Sequence, residues 1–424
     1  MGPYTPLSTM AYLCITSMRY VHPDLYTFVS FNQLVDIQVI YMNIIPIEVR
    51  MTSLVSNRGN PSDSPLKNKV SLYYKMSGGI AQLVAVGAQD AHLVGDPEVS
   101  FFRSTYRRHT NFSQTVERQV IQGALSEGGM STVRFERKGD LLGYTYFTSI
   151  NNSTNACEAL DWSTMIDKVE LLVGGQVIDD QDAFFTNNIA PNLFATGLAK
   201  SVAGGLYDGS TASKFYPLRF SFCENWQSAL PLVALQYHDV ELRIRWKTNA
   251  AVDSATRRVE CHANYIYLDT DERELLAKEA RSILITQVQT SLPSLGRTQE
   301  LNFNHPVKFL AASNVVADSV NTAANRIKLQ INGTDVTDFK FIDPHYTSAT
   351  SYYHVPNAKV DASLYTFPFC LDTCKLQPTG SLNFSRLDSA RIVSETSSFK
   401  DTIYAVNYNI LRVENGMGGL MYSN

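Results

Sequence analysis

From Val240 to Trp246 the chain reads Val-Glu-Leu-Arg-Ile-Arg-Trp, with Val240, Leu242, Ile244 and Trp246 on one side and Glu241, Arg243 and Arg245 on the other. A repeat of two is that of an extended strand, whose successive side chains point to opposite faces. Such a strand buries one face and wets the other, which calls for an antiparallel sheet with a second layer on its apolar side. The same grammar recurs. Val133 and Phe135 alternate with Arg134 and Glu136 before a Lys138-Gly139-Asp140 turn, and Val259 to Tyr267 reads as a further strand. Val169, Leu171 and Val173 share a face ahead of Gly174-Gly175, a two-residue hairpin signal because both positions accept positive φ.

The pattern changes once, at Asp269 to Lys278. Asp269 or Thr270 suits a helix cap, acids fill the first turn, and Leu275, Leu276 and Lys278 follow. Beyond it the strand grammar returns. Leu284, Thr286, Val288 and Thr290 alternate with their neighbours, Ile327, Leu329 and Ile331 precede an Asn332-Gly333 turn, and Tyr404, Val406, Tyr408 and Ile410 share a face opposite Ala405, Asn407 and Asn409. Residues 179 to 214 have only weak periodicity and read as a long loop with one short helix. Strands at short spacing with a single intervening helix predict an all-β chain of two antiparallel β-sandwiches in tandem, with a break near residue 275.

At 424 residues the chain is long enough for two or three domains, and 44% hydrophobic residues against 18% charged supply the cores. A net charge of -4 argues against a protein that coats nucleic acid, which needs excess Lys and Arg to displace phosphate counterions. Arg107-Arg108 and Arg257-Arg258 are therefore read as solvated or interface arginines. Six scattered cysteines suit buried thiols in a reducing compartment, and Cys370 with Cys374 lacks the companions of a zinc site. Residues 1–75 differ from the rest. Asp36, Gln38, Asn43 and Pro46 interrupt the apolar run Leu34 to Val49, no signal peptide is evident, and Ser56 to Lys69 is linker-like.

Residues 76–99 form a Gly/Ala/Gln-rich arm with a Gly95-Asp96-Pro97 turn, leading to an aromatic and basic segment with Phe101, Phe102, Tyr106, Arg107, Arg108 and His109. The run from Met76 to Phe112 resembles the start of the major capsid proteins of large icosahedral DNA viruses, the algal-virus and iridovirus group. The similarity continues through Leu230 to His238, Tyr265 to Arg273, Leu301 to Pro306, Gln377 to Arg386 and Tyr408 to Tyr422, and so spans residues 76–424. It implies two eight-stranded antiparallel jelly rolls, residues 100–270 and 282–424, joined by a linker helix over 271–281. It also implies homotrimers forming pseudo-hexameric capsomers that tile an icosahedral shell. Neighbouring capsomers and minor capsid proteins are the expected partners, near an internal viral membrane, with covalent glycans and with virion assembly in the host cytoplasm. Residues 1–75 precede the resemblance. They are expected to be an upstream extension absent from the mature protein, the alternative being an added segment. Loops near 250–257 and 313–326 are shorter than the family's, which bears on the capsomer's outer towers.

No enzyme is expected, and no catalytic, cofactor or metal residue is assigned. A cupin-like enzyme needs two histidines one residue apart, and His22, His92, His109, His238, His262, His305, His345 and His354 contain no such pair. His305 reads as a turn or packing residue. Gly416-Met417-Gly418-Gly419 superficially resembles a phosphate loop but has too little chain after it for the required helix, and reads as a flexible closing turn. Ser397 and Lys400 have Ser-x-x-Lys spacing without its partners. The sequons at Asn111, Asn151, Asn152, Asn332 and Asn383 are left unassigned. The rival function is a carbohydrate-binding β-sandwich, which exposed aromatics lining one groove would favour.

Overall fold

The computed structural model describes residues 87–194, 212–249, 252–313, 320, 324–356 and 364–423. The expectations for residues 1–75, for the run Leu34 to Val49 and for the arm before residue 87 lie outside them. The chain divides into two compact units, Met1–Arg103 and Ser104–Asn424. In the first, Ala88–Asp90 is a 3-10 turn and Ala91–Val94 a single helical turn, neither with a buried residue. Gly87 N donates to Asp90 Oδ2 at 2.8 Å. The arm is thus locally helical where its Gly and Ala content suggested irregular chain.

The second unit opens with β1 (Phe112–Gln119), β2 (Ile121–Gln122), β3 (Met130–Arg134), β4 (Leu141–Asn151), β5 (Ile166–Val173), β6 (Gln176–Asp182), β7 (Phe215–Pro217), β8 (Leu230–Pro231), β9 (Val240–Trp246) and β10 (Arg257–Leu268). One sheet has the order β1-β10-β4-β7, with β8 on β4, and the other β2-β3-β9-β5-β6. The alternation in β9 is realised as expected: Val240, Leu242, Ile244 and Trp246 are buried, facing Phe147, Tyr216 and Tyr265 within one core. Gly174 and Gly175, at φ 58° and 83°, make the β5–β6 turn, a twist-matched hairpin that side-chain-bearing residues adopt poorly.

Thr270–Lys278 is the one long helix between the sandwiches, capped by Asp269 Oδ1 accepting from Thr270 N at 2.8 Å. Asp140 anchors the same corner, accepting from Leu268 N and pairing with Arg273 Nε, both at 2.9 Å. Then come β11 (Arg281–Ser291), β12 (Thr298–Glu300), β13 (Pro306–Ser313), β14 (Arg326–Ile331), β15 (Thr334–Asp335), β16 (Lys340–Phe341), β17 (Leu364–Pro368), β18 (Leu382–Asn383), β19 (Ala390–Ser394), β20 (Ile403–Glu414) and β21 (Met417–Leu420). Their sheets run β11-β20-β13-β17 and β12-β19-β14-β15, with β16 on β14, β18 on β13 and β21 on β20.

With β2 and β8 of the first half and β16, β18 and β21 of the second set aside, each half places its first, last, third and sixth strands in one sheet and its second, seventh, fourth and fifth in the other. That is the order of a jelly roll, made by folding long antiparallel connections over two layers. Among the described residues all pairings are antiparallel, and the two halves share one topology.

Several local expectations need correction. Residues 179–182 belong to β6, and the following segment holds Phe185–Ile189, a π-helical turn, and Ala190–Leu193. This segment lies on the outer face of the second sandwich, where Phe185, Ile189, Leu193 and Phe194 bury with Phe309, Tyr404 and Val406. For that reason β20 is buried on both sides from Ile403 to Asn409 instead of presenting one wet face. Likewise β11 buries Ile285 and Gln287, which the alternation had placed on the polar side, because they meet the first sandwich. Gly416 to Gly419 is no flexible turn. Asn415 and Gly416 form the turn, and Met417–Leu420 is a strand against β20.

Candidate functional site

The residues weighed for chemistry are built into the scaffold. His305 sits buried at φ 66° with its N donating to Ser385 Oγ at 2.8 Å, and His238 Nδ1 lies 2.8 Å from the Gly418 carbonyl oxygen. Burial pushes the Cys370 thiol up and the Cys374 thiol up to about 11, so both stay protonated and unreactive at neutral pH. Among the described residues no group of three or more His, Cys, Asp or Glu is placed to hold a metal. Ser397 lies in the connection between β19 and β20, away from any helix start. Of the sequon asparagines, Asn152 donates its amide to the Ser254 and Ala255 carbonyls, Asn332 accepts from Asp388 N and Ser389 N, and Asn383 caps Phe384–Arg386.

What the molecule offers instead is surface. On the outer face of the first sandwich, Tyr144 and Tyr146 project from β4, Phe215 from β7, and Trp226 from the connection to β8. They line an open, mainly apolar groove of ≈ 830 Å³. Tyr144 meets Trp226 edge to face at 6.2 Å between ring centroids, Tyr146 meets Phe215 at 6.1 Å, and Tyr146 stacks on His262 at 5.2 Å. Aromatic rings in edge and stacked pairs hold one another in place without filling the space above them. Lys214, Arg219 and Glu224 are the charged residues among its lining, and Arg219 Nη1 donates to Glu224 Oε1 at 2.9 Å. The outer face of the other sheet is charged: Glu170, almost wholly buried, takes Lys168 at 2.8 Å and Arg243 and Arg245 at 3.1 Å. Burial works against the Glu170 charge, but these three cations outweigh it and hold the carboxyl below its ordinary range.

Large apolar groups stand out elsewhere too. Phe102 is 100% exposed, Phe101 and Tyr106 nearly so, and Tyr352 and Tyr353 project from the helical segment between β16 and β17. Isolated exposed aromatics are ordinary, whereas several in one surface mark contact with another molecule. Sequence reasoning missed the groove because its walls come from residues up to 82 positions apart, joined only by sheet pairing. The Tyr352-Tyr353 pair inside a polar run was the one visible sign of the second feature.

An aromatic groove alone would also suit stacking against sugar rings, and the comparisons with known proteins decide between these readings. Residues 100–269 match the model of the major capsid protein N-terminus, and residues 272–419 match that of the large eukaryotic DNA virus major capsid protein. The major capsid protein of Pyramimonas orientalis virus is 36% identical over 401 residues, covering 82% of this chain and 100% of the relative. That of Paramecium bursaria Chlorella virus 1 is 29% identical over 441 residues with the same coverage. Among solved structures, a chain of the PBCV-1 virus capsid superposes with a TM-score of 0.64 at 25% identity, over 77% of this chain and 100% of that one. The Faustovirus major capsid protein shares the fold with a TM-score of 0.55 at 10% identity, covering 78% and 94%. A double jelly roll with surface aromatics, matched along nearly all of its relatives' length, belongs to the major capsid proteins of large eukaryotic DNA viruses, and its work is structural, as a component of the virion capsid.

Proposed function

We propose that three copies of the chain associate into a capsomer of pseudo-hexagonal outline, and that these capsomers tile an icosahedral shell assembled in the host cytoplasm. The observation that carries this is the repeated strand order: one chain presents two sandwiches of the same topology side by side, so three chains present six. A closed ring of like contacts leaves no contact surface unused, which is why closed symmetric assemblies dominate. In this reading residues 100–270 and 282–424 are the two wall-forming domains and 271–281 the linker that fixes their spacing. The arm, 76–99, faces the particle interior and meets minor capsid proteins above an internal membrane. Glycans sit on outward loops, and peptide mapping of particles by mass spectrometry locates them.

Light scattering coupled to size-exclusion chromatography tests the central claim. A stable mass of three chains is expected, and a monomer or dimer at micromolar concentration overturns it.

A further inference from the structure

Among the described residues, the second sandwich has its outer face covered from within the chain, and the first does not. The cover is the segment after β6, a π-helical turn Phe185–Ile189 continued by Ala190–Leu193, which buries Phe185, Ile189 and Leu193 over Phe309 and Val406. The second half contains the same device at the same place in its topology: a π-helical turn His345–Ala349 continued by Thr350–His354, between its fifth and sixth strands. Aligning the two π-helical turns sets Phe185 opposite His345, Ile189 opposite Ala349 and Leu193 opposite Tyr353. In the first segment these positions are all buried. In the second, His345 and Tyr353 are exposed, Tyr353 at 76%, and Ala349 is half-buried. The face that one segment uses for docking is thus the face that the other leaves bare.

The receiving surfaces correspond as well. Phe309 pairs with Pro368 and Val406, and Tyr146 pairs with Pro217 and His262, so Tyr146 occupies in the first sandwich the place that Phe309 occupies in the second. Phe309 lies beneath Phe194 at 5.8 Å, whereas Tyr146 looks into the open aromatic groove. Among the described residues, chain connectivity therefore supplies one helix-on-sheet contact and leaves both halves of a second unfilled.

We propose that the segment His345–His354 of one copy docks on the outer face of the first sandwich of a second copy, with Tyr353 over the groove walled by Tyr144, Tyr146, Phe215 and Trp226. This rests on the trimer reading and names the contact that closes it. The contact is heterologous, helix of one chain to sheet of the next, and such contacts close into a ring when the rotation between successive units divides the circle. The chemistry suits the difference between the two contacts. Phe185, Ile189, Leu193 and Phe194 never meet water once the chain has folded. Tyr352, Tyr353, Tyr144 and Tyr146 must stay soluble until a neighbour arrives, and tyrosine combines a large apolar ring with a hydroxyl that water or a partner can satisfy.

Cys157, exposed and lining the groove, provides a built-in reporter. In full-length protein carrying Cys14→Ser and Cys223→Ala, which leaves Cys157 as the one thiol lining the groove, Tyr353→Cys treated with a short bismaleimide should give bands of two and three chains on a denaturing gel. Adding Cys157→Ser should abolish them. Light scattering on the same untreated samples separates the two levels of the reading. A trimer whose cross-links are absent, or persist with Cys157→Ser, overturns the docking and leaves the trimer standing; a parental protein that stays monomeric overturns both. As a second measure, Tyr352→Asp with Tyr353→Asp should weaken association by about tenfold or more in a dilution series, with an unchanged circular dichroism spectrum because both side chains are exposed. An undiminished trimer in that variant also overturns the proposal.

Discussion

Tyr404 Oη donates a 2.6 Å hydrogen bond to Asp182 Oδ2 across 222 residues of sequence. It ties the last long strand of the second sandwich to the end of β6 in the first, at the point where the Phe185–Leu193 segment begins. Asp182 also accepts from Phe185 N at 2.7 Å, so one carboxylate both starts the covering segment and fixes the tyrosine beneath it. Burial raises the Asp182 pKa, and the tyrosine and amide donors oppose that rise without cancelling it.

Tyr404→Phe removes this bond and leaves the ring in place. A hydrogen bond to a charged partner contributes about 1.5 to 3 kcal/mol, and the variant is expected to lose an amount in that range in denaturant unfolding. In a cycle with Asp182→Asn the two losses should be strongly non-additive. Additive losses would show that the pair does not couple the sandwiches.

Asp179 gives the fold a pH dependence. It is wholly buried between the halves, accepts from Val288 N and Gln181 Nε2 at 2.9 Å, and burial raises its pKa to about 8 despite those donors. The folded chain therefore holds a proton that the unfolded chain releases near pH 4. Stability from this group is complete below about pH 4 and falls as pH rises to about 8, at no more than about 1.4 kcal/mol per pH unit. Asp182, shifted the same way, adds to the same slope. Thermal melts across pH 4 to 9 should show the decline, and Asp179→Asn should flatten it; an identical slope in the variant would remove Asp179 as its source.

How much of this was legible in the sequence depends on how each strand is covered. In β9 one face is wet, so Glu241, Arg243 and Arg245 announce the strand, and the same holds for Ile327 to Ile331. In β20 both faces are buried from Ile403 to Asn409, and the polar Asn407 and Asn409 are tolerated there because Gln287 Oε1 accepts from both of their side-chain amides. Alternation cannot report a second covering layer that comes from residues 185 to 194. The covering segment was itself unreadable, being barely two turns long and π-helical at its start, with no amphipathic period to detect. The family motifs reached the fold where local periodicity did not, yet they carry no mark for the groove, since Tyr144 and Trp226 meet only after β4, β7 and β8 have paired.

The β5–β6 turn is expected to discriminate between two adjacent glycines. A Cβ on Gly174 would lie 2.4 Å from His238 Nδ1, whereas one on Gly175 meets nothing within 4 Å. Both sit at positive φ, so Ala at either position costs about 1 kcal/mol of backbone strain. Only Gly174→Ala must also push His238 from the Gly418 backbone, which loosens the β21 hairpin. Gly174→Ala should therefore lower Tm clearly more than Gly175→Ala. Equal shifts would mean that His238 moves at no cost.

The arm separates folding from assembly. Its described part, residues 87 to 99, is almost entirely exposed, with Leu93 at 85%, and holds only two short helical turns. Gly78, Gly79, Ala81, Gln82, Ala85, Gly87, Ala88 and Gln89 are too small and polar to own a core, while Ile80, Leu83, Val84 and Val86 are too apolar to favour water. Ordering such a segment costs about 1 to 2 kcal/mol per residue in backbone entropy, which only contacts with another molecule can offset. Deletion of residues 77–92 removes none of the strands of either sandwich and none of the residues proposed for the contact between copies. The shortened protein should keep its melting temperature and its three-chain mass while forming far fewer shells when assembled with its minor proteins, counted by electron microscopy. A fall in melting temperature would make the arm part of the core. Undiminished shell yield would show that capsomers join without it.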